Sequence, residues 1–395
     1  MNAPARGDPV SGAIMCVVGA RPNFMKIAPI LRALATHSPR LPAFLVHTGQ
    51  HYDQEMSEQL FADLSLPKPD VNLEVGSASH AIQTAEVMRR FEPILDTHQP
   101  SSVLVVGDVN STLACALVAA KKGIPVIHVE AGLRSFDRRM PEEINRVLTD
   151  QIADRLYITE RSAAVNLERE GVGAQRVVFV GNVMIDSLLF HLPSARRASA
   201  TLSHHGFDPN VLLDPNGYGL VTLHRPSNVD TAPVLRELLS VLREVSTRLP
   251  LVFALHPRTR TNIERFGLSD FIDARRVIIL PPQGYLEMLG LLADAAVVLT
   301  DSGGLQEETT ALGVPCLTLR DSTERPITVE QGTNAVVGTD RSAILACVTD
   351  ILAGRGKRGR VPELWDGHAA QRIAADLGQW LQTAAADVGE SCPPH

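Results

Sequence analysis

Short apolar runs alternate with longer periodic segments along most of this chain. The runs at 13–18, 43–47, 103–106, 123–129, 155–159 and 177–180 are almost continuously hydrophobic, the pattern of strands buried on both faces of a parallel sheet. Between them the period lengthens to that of a helix: Phe24, Ile27, Ile30, Leu31 and Leu34 form one apolar stripe, and a helix is expected over 79–98. The alternation resumes at 219–223 and runs through 251–255, 277–280 and 295–300, with Leu235, Leu238, Leu239 and Leu242 striping a helix after the first of these. Two α/β units therefore follow one another. The segment 191–216 is polar, rich in Pro, Ser and His, and lacks a clean period, so it reads as the linker between them. The expected domains are 1–195 and 196–368, and a last helix within 369–395 stands outside the strand alternation and packs back on the first domain.

Polar clusters sit where the apolar runs end. In an open parallel sheet the carboxyl ends of the strands are the ligand-binding edge, because loops rather than packed helices cover them. After the first run, Arg21 lies in a turn and Lys26 just inside the following helix, together a cationic cradle for an anion. Thr48 to Asp53, with His51, ends the second run. Asp108 ends the run at 103–106, with Gly107 allowing close backbone approach and Asn110 or Ser111 placed to cap the next helix. The densest cluster is 128–146. There His128 and Glu130 share a strand face by period-2 geometry, Pro141 opens a helix, and Glu142 and Arg146 lie one turn apart. Taken alone that pair would be a surface ion pair worth about 0.3–0.5 kcal/mol. Three successive strand ends carrying His51, Asp108 and Glu130 point instead to a site.

The second unit repeats the arrangement with His224 and Arg225, with His256, and with Asp301-Ser-Gly-Gly, where Ser302, Gly303 and Gly304 open a helix whose N–H groups can face a phosphate. Glu324 is expected near a ribose and Arg325 near phosphates, and Asp230 is placed to cap a helix. Neither a G-x-G-x-x-G nor a P-loop occurs, which argues against bound NAD.

Composition narrows the classes further. At 395 residues the chain exceeds what one core supports, and 45% hydrophobic with 21% charged residues is ordinary globular material. A net charge of −7 argues against non-specific nucleic-acid binding, and 4% aromatic residues offer no stacking platform for single strands. Cysteines 16, 115, 316, 347 and 392 form no Cys-x-x-Cys pair and read as reduced packing residues of a cytoplasmic protein. The apolar run behind the polar start is too short for a signal segment or a membrane span. His128 and His256 have no third ligand at metal spacing, and the paired His204 and His205 fall in the linker, so no metal is expected.

Seven collinear motifs, Gly-Ala-Arg-Pro-Asn-Phe-Met-Lys (19–26), Thr-Gly-Gln-His (48–51), Gly-Asp-Val-Asn-Ser-Thr-Leu-Ala (107–114), His-Val-Glu-Ala-Gly-Leu-Arg (128–134), Pro-Glu-Glu-Ile-Asn-Arg (141–146), His-Arg (224–225) and Asp-Ser-Gly-Gly-Leu-Gln-Glu-Glu (301–308), resemble the non-hydrolysing UDP-N-acetylglucosamine 2-epimerase family. The resemblance spans nearly the whole chain. It implies two Rossmann-like domains of the glycosyltransferase-B type with a central cleft, a UDP-sugar substrate, a homodimer, and no cofactor. It also implies catalytic roles for Asp108, Glu130, Glu142 and His224, and substrate binding by Arg21, Lys26, Arg146, Arg225, His256, Ser302, Gly303, Gly304, Glu308 and Arg325. The chain departs from many members at Pro226-Ser-Asn and in a longer loop at 50–56. Such a set suits C2 inversion by eliminating UDP to a glycal and adding it back, which needs cations at the leaving phosphate and carboxylates about C2, without metal or redox cofactor. A glycosyltransferase would share the UDP contacts but needs one base, and a noncatalytic UDP-sugar sensor would need none of the acids. Uronate and diacetamido relatives of the sugar fit the same motifs.

Overall fold

The structure, a computed structural model, describes residues 12–49, 61–272 and 275–390. The chain divides into two units, 1–187 with 363–395, and 188–362. Both divisions fall earlier than the boundaries at 195/196 and 368/369 expected from the sequence.

The first unit is built on a parallel sheet of strands β1 (Ile14–Val18), β2 (Ala43–His47), β3 (Val71–Asn72), β4 (Ser102–Val106), β5 (Val126–Ala131), β6 (Arg155–Ile158) and β7 (Val177–Phe179). Their order is β3-β2-β1-β4-β5-β6-β7. Every residue of β1, β4 and β5 is buried, as the apolar runs require when helices cover both faces. The helices that matter for the site are α1 (Arg21–Thr36), α2 (His80–His98), α3 (Asn110–Lys121), α4 (Pro141–Ile152) and α5 (Arg161–Arg169). The helix Ala369–Glu390 packs on α1 and returns the end of the chain to this unit.

The second unit holds β8 (Gly219–Thr222), β9 (Leu251–Ala254), β10 (Val277–Leu280), β11 (Val297–Thr300), β12 (Cys316–Thr318) and β13 (Asn334–Val336), again all parallel, in the order β10-β9-β8-β11-β12-β13. Its site-forming helices are α6 (Pro257–Arg265), α7 (Tyr285–Ala293) and α8 (Gly303–Leu312). In each sheet the order reverses beside the first strand, the topological switch point at which α/β sheets take ligands.

Three local expectations need correction, and one element was not foreseen. The segment 191–216 is not a structureless linker: it contains the helix Ala198–His204, whose Ala198 and Leu202 are buried in the second unit's core. Partly buried Phe207, Val211 and Leu212 pack on the same core, and the segment's Ser and His content hid these contacts. The first residue of α3 is Asn110 itself, and no side chain caps it; the Asn110 amide instead donates to Gln83 on α2 at 2.8 Å. Asp230 does not cap the helix Ala232–Ser246, because it is drawn into an ion pair with Arg258 of α6. The short edge strand β13 carries no periodic signal that a sequence could show.

Among the described residues no helix is long and apolar enough to cross a membrane. Among those residues, too, no group of three or more His, Cys, Asp or Glu side chains is placed to hold a metal ion. The described cysteines, 16, 115, 316 and 347, are free thiols.

Candidate functional site

In the first unit the turn after β1 is tied down by Asn23, whose side-chain oxygen accepts from the Gly19 and Ala20 N–H groups at 3.2 and 3.0 Å while its amide donates to the Val106 carbonyl at 2.9 Å. This fixes the start of α1 against the end of β4 and carries Lys26 with it. Lys26 Nζ lies 2.6 Å from Glu130 Oε2, both side chains nearly fully buried. It also lies against Gly107, where an added β-carbon would come within 3.0 Å of it. Gly107 is thus needed twice, for that approach and for its φ of +68°. Glu130 has a φ of +71°, in the left-handed region that a non-glycine residue occupies at a cost. The β5–β6 register shifts between Val129 and Ala131.

That irregularity overturns the expectation that His128 and Glu130 share a face. His128 reaches Asp150 on α4, at 2.6 Å, whereas Glu130 reaches Lys26 on α1.

Helix α4 begins at Pro141, as the sequence suggests, but its ion pair is not the expected one. Arg146 pairs with Glu143 at 2.6 Å and, through its other terminal nitrogen, with Asp108. Glu143 faces inward because its carboxylate accepts from the Ser135 N–H at 2.9 Å, the Ser135 hydroxyl at 3.0 Å and the Phe136 N–H at 2.8 Å. Glu142 is half-buried beside it and makes no ion pair among the described residues. The structure therefore brings Lys26 to Glu130 and Arg146 to Asp108, and leaves Glu142 at the same helix start as an uncommitted carboxylate. The Arg21 side chain, and His51 with the rest of the 50–56 loop, lie outside the described residues.

In the second unit the ends of β8 and β11 meet at Asp301. This fully buried carboxylate takes the backbone N–H groups of His224 and Arg225, the Asn228 amide at 3.1 Å, and His224 Nδ1 at 2.8 Å. Burial alone would raise the Asp301 carboxyl; the His224 ring and these N–H donors hold it below the usual carboxylate range. His224 is oriented by that bond, with its ring about one-third exposed and its centroid 5.8 Å from that of His256. His256 itself caps α6 through Nδ1, which accepts from the Arg258 N–H.

Ser302 precedes α8 without capping it by side chain; its N–H donates to Thr300 Oγ1 at 3.0 Å. Glu324 lies against the first turn of α8, its Oε1 2.5 Å from where a Gly303 β-carbon would stand. Burial opposes its charge, yet Arg325 and Arg320 beside it hold its carboxyl down at about 2. Arg325 forms an ion pair with Glu307 at 3.0 Å, and Arg225 approaches Glu324 at 3.8 Å. Glu308, buried one helical turn beyond Gly304, meets the Tyr285 hydroxyl, whose pKa is pushed up by burial and then by that carboxylate. Cations and an uncapped helix end thus gather at one strand edge of this unit.

The family model for UDP-N-acetylglucosamine 2-epimerase matches residues 33–378. The chain belongs to the UDP-N-acetylglucosamine 2-epimerase family. A UDP-N-acetylglucosamine 2-epimerase of Methanocaldococcus jannaschii is 41% identical over 364 residues, covering 91% of this chain and 97% of that protein. A UDP-2,3-diacetamido-2,3-dideoxy-D-glucuronate 2-epimerase of Pseudomonas aeruginosa is 42% identical over 369 residues, covering 93% and 99%. Among solved structures, the Methanocaldococcus jannaschii UDP-GlcNAc 2-epimerase in complex with UDP-GlcNAc and UDP superposes with a TM-score of 0.82 at 39% identity, over 93% of this chain and 99% of that one.

Within this epimerase-family fold, sequence reasoning did not single out Asn23, Glu143, Asp150 or Asp301 for their parts. Asn23 and Asp301 lay inside quoted motifs, but nothing local shows that they bond to backbone far along the chain. Glu143, Arg146 and Asp150 fall at i, i+3 and i+7, the spacing of one helical face, and that spacing was the available signal.

Proposed function

We propose that this chain inverts C2 of UDP-N-acetylglucosamine, forming UDP-N-acetylmannosamine by elimination and readdition of UDP. That carbon has no adjacent carbonyl, so direct deprotonation is hard. In the proposed route the C1–O bond breaks with its electron pair leaving on the diphosphate, the C2 proton passes to a carboxylate, and a C1=C2 glycal remains. Reprotonation on the opposite face and return of UDP to C1 complete the inversion. Asp108, Glu130 and Glu142 supply the acid–base capacity, Lys26, Arg146 and Arg21 the cationic surroundings, and oriented His224 adds a further polar group. The uncapped start of α8, with Ser302, Gly303 and Gly304, and Arg225, His256, Glu308 and Arg325 are assigned to the UDP.

The observation that carries this reading is the buried Lys26–Glu130 pair at a strand's carboxyl end, with Glu130 held at φ +71°. Backbone strain at a buried ionised pair is characteristic of a functional position rather than of a packing one. A second reading, C2 epimerisation of UDP-2,3-diacetamido-2,3-dideoxy-D-glucuronate, is favoured by the Pseudomonas aeruginosa relative. The proposal extends to a homodimer in the cytoplasm; exposed Ile144 and Leu148, one turn apart on α4, support the dimer, which light scattering would test.

Incubation with UDP-N-acetylglucosamine alone in deuterated water, without metal, nicotinamide or acceptor, should give UDP-N-acetylmannosamine carrying deuterium at C2. A carboxylate that holds the proton exchanges it with solvent, whereas an enclosed hydride route would retain the original hydrogen. Product without deuterium would exclude elimination. No product from this sugar or from the diacetamido uronate would exclude the epimerase reading.

A further inference from the structure

Asp150 stands outside the residues just assigned, yet its side chain, fully buried on α4, joins two of the turns that carry them. One carboxylate oxygen faces His128 Nδ1 at 2.6 Å. The other accepts the Gly132 N–H at 3.0 Å and lies 2.7 Å from Arg134 Nη2. The far ring nitrogen of His128, Nε2, faces the Gly107 carbonyl at 2.8 Å. A carbonyl only accepts, so Nε2 is the donor to Gly107, and Nδ1 faces the Asp150 carboxylate. Burial alone would raise the Asp150 carboxyl, but His128 and Arg134 hold it below the usual range. Arg134 is in turn anchored by Glu170 at 2.6 and 2.8 Å.

The connections are specific. Gly107 immediately precedes Asp108, and Gly132 follows Glu130 by two residues. Helix α4 also supplies Arg146, the partner of Asp108. One rigid helix face therefore sets the direction of Asp108 directly and of both loop turns through Asp150.

We propose that the His128–Asp150 pair is a positioning element of the acid–base centre, holding the turns of Asp108 and Glu130 in register with each other without touching the substrate. This rests on the epimerase reading and adds a residue pair to it. Misplacement of reacting groups by about an ångström lowers rates by as much as 10²-fold without weakening ligand binding in proportion.

The test uses His128→Asn, whose amide stands in for Nδ1 and keeps the Asp150 bond but cannot reach Gly107, and His128→Gln, whose amide stands in for Nε2 and reaches Gly107. Turnover is expressed per UDP-binding site counted by calorimetry, so that loss of folded protein does not register. Each variant breaks one end of the Gly107–His128–Asp150 chain, so His128→Asn and His128→Gln should both lower kcat by about tenfold or more with KM and the UDP Kd changed less than about twofold. Normal kcat per site in either variant, or a loss carried in KM and the UDP Kd rather than in kcat, would overturn the proposal. If His128→Asn does not fold, Arg134→Lys, which loosens the Nη2 contact on Asp150 and the fork on Glu170 but keeps the charge, should show the same fall in kcat; normal kcat there, or failure of both to fold, would make the cluster a fold determinant only. An inactive wild-type protein would refute the epimerase reading and, with it, a positioning role in that reaction, so the wild-type assay comes first.

Discussion

Glu130 and Glu142 stand in contrasting surroundings, and the contrast makes their roles separable. Glu130 is nearly fully buried against Lys26, whereas Glu142 is half-buried with no ion pair among the described residues. Asp108→Asn, Glu130→Gln and Glu142→Gln should each lower turnover by roughly 10²-fold while UDP affinity stays within severalfold. Stability should divide them. Glu130→Gln leaves a buried ammonium without its counter-charge and should cost about 3–5 kcal/mol, while Glu142→Gln should fall within about 0.5 kcal/mol of the wild type. Urea unfolding beside steady-state rates checks both. A Glu142→Gln variant with normal turnover would remove Glu142 from the chemistry, since no structural loss could be masking its effect. From the sequence one could read which acids end the strands. One could not read their partners, because Lys26 and Glu130 are brought together only by the sheet order, which sets β4 and then β5 beside β1.

Helix α4 buries its polar side. Glu143, Asn145, Arg146, Thr149 and Asp150 are all buried, and Ile144 and Leu148 are exposed. The usual rule that the apolar stripe faces inward fails here because the buried groups satisfy one another and the loop backbone. Glu143 makes three bonds to residues 135 and 136 besides its pair with Arg146. Glu143→Gln keeps part of that acceptor set but removes the charge, and should destabilise the protein by on the order of 2–3 kcal/mol. Chemical denaturation measures this, and an unchanged midpoint would show that the loop is held by other contacts. The expected pair of Glu142 with Arg146 had the right spacing on the wrong member: adjacent glutamates differ by about 100° around a helix, and the loop at 135–136 selects the one that faces it.

Across the whole molecule, two buried carboxyls should make stability respond to pH in opposite senses. Asp186, raised to about 6 mainly by burial, accepts the Ala369 and Ala370 N–H groups at 3.1 and 2.7 Å and so holds the start of the C-terminal helix. Its folded state binds the proton more tightly than the unfolded chain does. The stability this contributes is fully present below about 3.8 and is lost as pH rises through about 6, roughly 3 kcal/mol in all. Glu324 is held at about 2, so its contribution is present above about 4.5 and is lost as pH falls through about 2. Asp186→Asn should therefore gain stability relative to wild type as pH rises from about 4 to 7, read from urea midpoints at each pH. A difference between the two proteins that stays flat with pH would show that Asp186 does not titrate in that range.

The apolar runs and the residues at their ends by themselves determined the α/β class, two parallel sheets and the family, because strand burial and short motifs are written in local order. Arg146 could be picked out as a site arginine on the same grounds. Its pairing with Glu143 and Asp108, the left-handed turn at Glu130, the His128–Asp150–Gly107 chain and the clasp of Asp186 on the C-terminal helix were decided by the tertiary structure alone. Apart from the Arg146–Glu143 pair, which is local to one helix, each is a bond between segments 18 to 184 residues apart, or depends on one. A polar group's partner is set by which strand ends the sheet order brings together, and no period in the sequence encodes that order.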